Sequence, residues 1–155
     1  FLIFSCSVEN DENLLELREN SEIGIDFSNT VENTKDFNIF NYRNFYNGGG
    51  VAAGDINNDG LVDLYFTANR GPNKLYLNKG NWHFEDITES SNTALSEFWS
   101  TGVVMADINA DGLLDIYVCN AGNINGDDRK NELYINNGNL TFTEEAEKYN
   151  LAERI

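Results

Sequence analysis

The 155-residue sequence predicts an all-β fold made of two consecutive and closely similar four-stranded units. Three observations lead to this prediction. A nine-residue pattern rich in Asp and Asn occupies residues 55–63 and returns at residues 107–115. The segments that follow each copy alternate with a period of two, as β-strands do. A second hairpin pattern, at residues 75–84, returns at residues 133–142.

The nine-residue pattern places oxygen ligands at alternate positions around a glycine. Ca²⁺ takes about six to eight oxygen ligands, and carboxylates this close repel one another without a cation between them. By analogy with the backbone ligand of the EF-hand loop, the main-chain carbonyls of Leu61 and Leu113 are further ligand candidates. The sequence therefore predicts two calcium sites. Their side-chain ligands are Asp55, Asn57, Asp59 and Asp63 in the first copy and Asp107, Asn109, Asp111 and Asp115 in the second.

Ordinary hairpin turns are the alternative interpretation of these loops, because Asn and Gly tolerate positive φ angles. Recurrence of the whole pattern favours calcium, and the positions that vary, Asn58 and Ala110, are those that a loop would point outward. An EF-hand is excluded, since its twelfth position is a bidentate Glu and here it is Phe66 or Val118. The flanking segments are strand-like, so each loop is predicted to connect two strands.

Each unit reads as two consecutive hairpins, and four-stranded units repeating at roughly 40–50 residues are typical of β-propeller blades. We expect leading strands at residues 23–47, a first repeat at 48–95, a second repeat at 96–151 and the start of another at 152–155. The second repeat carries six extra residues within 121–131. A closed propeller has roughly four to eight blades. The fold class is therefore a partial β-propeller of about two blades, the N-terminal fragment of a longer chain.

The residues also resemble a known family. The loop D-x-N-x-D-G-x-x-D followed by the hairpin N-x-L-Y-x-N-x-G-x-x-x-F is similar to the FG-GAP/VCBS repeats of integrin-α-type propellers. Residues 42–50, 71–76 and 99–102 most resemble bacterial VCBS-repeat lipoproteins with ASPIC/UnbV domains, related to the vertebrate cartilage acidic proteins. The resemblance covers about residues 23–151 and implies one Ca²⁺ in each loop. Literal Phe-Gly and Gly-Ala-Pro marks are missing, so the wider VCBS pattern fits better.

The first residues resemble the end of a lipoprotein signal peptide. Residues 1–5, which are four apolar residues and the small Ser5, would be the signal-peptide remnant. Cys6 would be the lipidated residue, and residues 6–22 would form an acidic tether. A buried strand that ends in an ordinary Cys is the alternative. If Cys6 is acylated, Cys119 is a lone packing thiol, and otherwise the two could pair. We expect an outer-membrane or cell-surface lipoprotein, or an extracellular protein, whose membrane contact is only the lipid at Cys6.

Charge and motifs limit the functions that this sequence allows. A net charge of −16 opposes binding to nucleic acid. The sequence has one histidine, His83, and no recognised catalytic motif, so we expect no enzymatic activity in this chain. The leading hypothesis is a non-catalytic module that binds a protein or a glycan. A scaffold within a larger extracellular enzyme and a purely structural spacer are the alternatives. If an aromatic residue binds sugar, Trp99 and residues 121–131 are the predicted place.

Overall fold

The structure, a computed structural model, describes residues 16–94, 99–121 and 130–152. In these residues the chain forms two four-stranded antiparallel sheets, each with its strands in sequential order, and one short helix. The partial-propeller prediction of two four-stranded blades is confirmed. The elements are α1 (Asn20–Ile23), β1 (Val51–Gly54), β2 (Asp63–Phe66), β3 (Lys74–Asn78), β4 (Phe84–Asp86), β5 (Ser100–Ala106), β6 (Asp115–Asn120), β7 (Glu132–Asn136) and β8 (Phe142–Glu144).

Equivalent turns close the hairpins of both blades. The β3–β4 turn contains Gly80 at φ 81°, and the β7–β8 turn contains Gly138 at φ 77°. This left-handed conformation suits glycine because it has no Cβ. The segments that follow β4 and β8 are short hydrogen-bonded turns, in which Ser91 N donates to Ile87 O and Tyr149 N donates to Glu145 O. The two repeats are thus equivalent beyond their strands.

The main core lies between the two blades. One face of the first sheet packs on one face of the second, and its buried residues include Tyr65, Leu75, Ile116 and Val118, all 0% exposed. Burial of an aliphatic side chain of this size stabilises a fold by about 1.5–3 kcal/mol. A smaller cluster around Leu133 lies on the other face of the second blade. The inter-blade core therefore holds the two repeats together.

The prediction of leading strands at residues 23–47 is wrong. After α1 this segment consists of turns and irregular backbone. Its Asn and Thr side chains bond to nearby main-chain groups, with Asn41 Oδ1 accepting from Asn38 N at 2.8 Å and Thr34 Oγ1 accepting from Phe37 N at 3.0 Å. Such local bonds compete with a strand ladder.

The segment packs on the first blade instead of extending its sheet. Phe27 stacks on Phe66 with ring centroids 5.0 Å apart, and Tyr76 Oη donates to Asp26 Oδ1 at 2.7 Å. Further along, an aromatic cluster surrounds Trp99, which is 4% exposed. Its other members are Phe37, Tyr42 and Phe45. Trp99 therefore packs against these rings and is not exposed as a platform for sugar.

Several predicted features lie outside the described residues. These are Cys6, the signal-peptide remnant, most of the acidic tether, and residues 122–129 of the insertion. Cys119 is half-buried on β6, less enclosed than a fully buried thiol. In the three described ranges, no helix has the length and apolar character needed to cross a membrane.

Candidate metal centre

The first candidate loop joins β1 to β2 and is shaped by its own carboxylates. Asp55 accepts from two main-chain donors, Asp59 N at 3.1 Å and Gly60 N at 2.8 Å. Asp59 Oδ1 in turn accepts from Leu61 N at 2.8 Å, and Asn57 Nδ2 donates to Asp59 Oδ2 at 3.0 Å. Three of the predicted ligand residues are therefore tied into one compact turn.

Left-handed backbone makes this compact turn possible. In the first loop Asn58 has a φ of 58° and Gly60 a φ of 85°. In the second loop Ala110 and Gly112 take φ angles of 61° and 88°. Asn and Gly adopt this region readily, whereas Ala does so only at a cost in strain. Both loops thus follow the same backbone path, although Ala110 is unfavourable in the left-handed conformation.

The second loop, between β5 and β6, repeats these hydrogen bonds one by one. Asp107 accepts from Asp111 N at 3.1 Å and from Gly112 N at 2.9 Å. Asp111 Oδ1 accepts from Leu113 N at 2.9 Å, and Asn109 Nδ2 donates to Asp111 Oδ2 at 2.8 Å. Two loops far apart in the sequence thus have the same internal geometry.

The last aspartate of each loop is the first residue of a strand and is fully buried. Asp63 Oδ2 accepts from Ile56 N at 2.9 Å, and its Oδ1 accepts from Asn78 N at 2.8 Å. Asp115 makes the same pair of bonds in the second blade, with Ile108 N and Asn136 N. These carboxylates fasten the loop to the start of one strand and the end of another.

The ionisation of the first loop reflects both burial and neighbouring charge. Burial raises the pKa of Asp63; hydrogen bonds from Asn78 and Ile56 act against this rise, and the negative charges of Asp59 and Asp55 add to it. Desolvation also raises the pKa of Asp55, but hydrogen bonds from the N–H groups of Gly60 and Asp59 outweigh it, and the net pKa is lowered. Asp63 is therefore close enough to Asp59 and Asp55 to be affected by their negative charge.

The ligand chemistry fits calcium, although the side chains do not converge. All candidate donors are carboxylate, amide or carbonyl oxygens, which suit a hard cation. Among the described residues, however, no group of three or more His, Cys, Asp or Glu side chains is arranged to hold a metal ion. The carboxylates face main-chain N–H groups instead. Since an ionised carboxylate has about four acceptor positions, these bonds leave capacity for a cation.

Two asparagines that the sequence interpretation assigned no role join each loop to the second hairpin. Asn78 Nδ2 donates to Val62 O at 2.9 Å. Its counterpart Asn136 donates to Leu114 O at 3.1 Å and also to Ile56 O, across the blade interface, at 2.8 Å. The signal was present in the sequence, because both asparagines occupy the same place in the repeated N-x-L-Y-x-N hairpin motif.

Comparison with known proteins supports the same interpretation of the repeats. The FG-GAP-like repeat family matches residues 55–118, which include both loops. The chain is 36% identical to cartilage acidic protein 1 of Xenopus tropicalis over 114 residues, covering 72% of this chain and 17% of that protein. It is 37% identical to cartilage acidic protein 1 of Mus musculus over 82 residues, 53% of this chain and 12% of that protein.

The human protein of the same name is 36% identical over 85 residues, again 12% of its length. The chain thus spans less than a fifth of the length of these relatives. The family match begins at the first loop, continues through β2–β5 and the second loop, and ends within β6. The chain is an FG-GAP repeat protein, and its described residues fold as two four-stranded blades.

Proposed function

We propose that this chain is a calcium-stabilised, non-catalytic module of a cell-surface or secreted protein, and that it binds a protein or glycan partner. The observation that carries the proposal is the pair of loops with the same hydrogen bonds around the same acidic residues. In each loop three side-chain carboxylates, one amide oxygen and one main-chain carbonyl would hold the ion. These are Asp55, Asn57, Asp59, Leu61 and Asp63, and Asp107, Asn109, Asp111, Leu113 and Asp115.

Bound Ca²⁺ would supply positive charge where carboxylates now repel one another. The raised pKa of Asp63, caused by burial and by the charges of Asp59 and Asp55, supports this role. In the extracellular setting that we propose, calcium modules bind with dissociation constants of roughly 10⁻⁴–10⁻³ M. At about 1 mM Ca²⁺ each site would then stabilise the fold by about 0.4–1.4 kcal/mol.

Calcium titration by calorimetry, with thermal melts in Ca²⁺ and in EDTA, tests the metal proposal. We expect two ions per chain and a higher melting temperature in Ca²⁺. Asp59→Ala and Asp111→Ala should each remove one ion, because both side chains are exposed ligand candidates at the middle of their loops. Glu89→Ala is the matched control, an exposed acidic residue outside the loops. Unchanged stoichiometry in the loop variants would rule out the assigned ligands.

The remaining parts of the proposal concern the surface and the anchor. A net charge of −16 supports a partner other than nucleic acid. Binding to immobilised glycans and extracellular proteins, in Ca²⁺ and in EDTA, tests recognition. Intact-mass measurement of protein made with its natural export signal tests lipidation, which we propose at Cys6. Absence of acyl mass, with Cys6→Ser unchanged in membrane partition, would exclude the anchor.

A further inference from the structure

The side chain of Asn136 makes a buried hydrogen bond from the second blade to the first candidate loop. Its Nδ2 donates to Ile56 O at 2.8 Å and to Leu114 O at 3.1 Å, while its Oδ1 accepts from Gly138 N at 2.9 Å. A carboxamide has two N–H donors and one acceptor oxygen, and here each of these groups has a partner. The side chain is therefore held in one orientation, with one N–H group directed at the other blade.

The acceptor of this bond, Ile56, lies between two ligand candidates of the first loop, Asp55 and Asn57. The N–H of Ile56 belongs to the peptide group shared with Asp55, and it donates to Asp63 Oδ2 at 2.9 Å. The carbonyl of Ile56 belongs to the peptide group shared with Asn57, and it accepts from Asn136. Because peptide groups are planar, these two hydrogen bonds fix the backbone on both sides of Ile56.

We propose that Asn136 is a positioning residue for the first candidate calcium site, although it belongs to the second blade, and that its contacts couple the two sites. This role rests on the proposed function, because it concerns Ca²⁺ at the same two loops. Asn136 acts through Ile56 and not as a ligand. It holds the backbone between Asp55 and Asn57 in place before the ion binds, and such preorganisation raises affinity because less conformational entropy is lost on binding.

The same asparagine also contacts the second loop. Its main-chain N–H donates to Asp115 Oδ1 at 2.9 Å, and Asp115 is the last ligand candidate of that loop. A path of three hydrogen bonds therefore runs from Asp63 through Ile56 and Asn136 to Asp115. All four residues are buried, where a low dielectric strengthens hydrogen bonds. An ion that orders Asp115 therefore also favours the ordered state of the first loop.

A second contact joins the two loops at their tips. Asn58 Nδ2 donates to Gly112 O at 3.1 Å. This carbonyl belongs to the peptide group shared with Leu113, whose N–H donates to Asp111 Oδ1 at 2.9 Å. The first loop thus supports the second, as the second supports the first. Because this bond is exposed to water, we expect it to contribute less than the buried bond of Asn136.

Calcium titrations followed by NMR can test the two loops separately. Gly60 N donates to Asp55 and Gly112 N donates to Asp107, so the amide shift of each glycine reports on its own loop. The quantity measured is the midpoint, the calcium concentration at half of the total shift change. In the wild type we expect both glycine amides to shift with calcium.

The positioning role is tested on the first site alone, in a chain whose second site is disabled by Asp111→Ala. Adding Asn136→Ala should raise the Gly60 midpoint about tenfold, which is the usual loss when a group that orients metal ligands is removed. In EDTA the same replacement should also speed hydrogen exchange at Ile56 N. If the Gly60 midpoint did not change in the folded variant, the positioning role would be wrong.

The matched control is Asn78→Ala, measured on the second site alone in an Asp59→Ala chain. Asn78 Nδ2 donates to Val62 O at 2.9 Å and its Oδ1 accepts from Gly80 N at 2.9 Å, the bonds equivalent to those of Asn136 within its own blade. We expect the Gly112 midpoint to stay unchanged. A tenfold rise here would show that loss of either asparagine loosens the whole fold, and it would overturn the specific role of Asn136.

The coupling is tested without replacing Asn136, which also covers the case in which Asn136→Ala does not fold. The Gly60 midpoint should be about fivefold higher in Asp111→Ala than in the wild type, since coupling between sites is typically of this size or larger. Direct electrostatics predicts the opposite sign. The filled second loop has three carboxylates and one Ca²⁺, a net charge of −1, whereas the empty variant loop has two carboxylates, a net charge of −2. The more negative loop would attract calcium to its neighbour.

The results separate this inference from the proposed function. If the wild type took up no calcium, the proposed function would be wrong, and the coupling with it. If both wild-type sites filled but the Gly60 midpoint was equal or lower in Asp111→Ala, only the coupling would be overturned. Circular dichroism in EDTA identifies a variant that does not fold, and Asn136→Ser then provides a milder replacement.

Discussion

Replacement of Asp63 should destabilise the fold even without calcium, since its carboxylate has a structural role of its own. The side chain is fully buried and accepts hydrogen bonds from Ile56 N at 2.9 Å and Asn78 N at 2.8 Å. Hydrogen bonds to a charged acceptor contribute about 1.5–3 kcal/mol each, and a buried donor left unpaired costs about 1–3 kcal/mol. We therefore expect Asp63→Ala to lower the free energy of unfolding in EDTA by about 3–5 kcal/mol.

A graded series separates the two hydrogen bonds. Asp63→Asn keeps one acceptor oxygen and turns an amide donor toward the other N–H, so it should cost about 1.5–3 kcal/mol. Asp115→Ala and Asp115→Asn should give the same order in the second blade, because Asp115 accepts from Ile108 N and Asn136 N. The measurement is urea unfolding in EDTA, followed by circular dichroism and by tryptophan fluorescence.

Asp59→Ala, in the same loop, should destabilise the fold less than Asp63→Ala does. Its side chain is exposed and Oδ1 accepts one main-chain hydrogen bond, from Leu61 N. In EDTA this variant should therefore cost only about 0.5–1.5 kcal/mol. If Asp63→Ala proved no more costly than Asp59→Ala in EDTA, the buried carboxylate would not be what fastens the loop, and the reasoning would be wrong.

Two further predictions concern Gly54, at the inter-blade contact, and the buried Glu132. Gly54→Ala should destabilise by about 1–3 kcal/mol because its methyl group meets Leu114 Cδ1, and Leu114→Val added to it should recover part of that loss. Gly102→Ala, with its nearest neighbour at 3.8 Å, is the control in urea unfolding. Burial raises the pKa of Glu132 to about 7, with Asn120 donating to it. Since the unfolded carboxyl titrates near 4.5, stability should fall by about 3 kcal/mol from pH 4.5 to 7, and Glu132→Gln should remove this dependence.

The strands and loops were predictable from sequence because their signals are local. Alternation with period two continues through Leu64 and Phe66, and through Ile116 and Val118, whatever lies around them. Because the pattern occurs twice in the sequence, each strand and loop prediction is supported by a second copy. The predicted hairpins, their glycine turns and the two four-stranded units all follow from such short-range patterns.

The errors arose where the outcome depends on distant contacts. Residues 23–47 have aromatic residues that suit a strand, but their Asn and Thr side chains form hydrogen bonds with the local backbone. In addition, Phe27 stacks on Phe66 of the first four-stranded sheet and does not extend that sheet. Likewise, nothing local distinguishes Trp99, which is 4% exposed, from Trp82, which is 68% exposed. Only the position of each residue relative to the blade faces determines its burial.

Asn78 and Asn136 show how a neighbouring blade changes the contacts of equivalent residues. They occupy the same place in the same motif and each donates to a carbonyl of its own blade, Val62 O or Leu114 O, but Asn136 also donates across the blade interface to Ile56 O. Because the local sequence is matched, this difference isolates the effect of a neighbouring blade. Likewise, Val62 and Val104 are about half exposed, whereas their counterparts Leu114 and Ala52 pack in the inter-blade core. The burial of equivalent residues in an internal repeat therefore depends on whether a neighbouring blade covers them, which the sequence of a single repeat does not show.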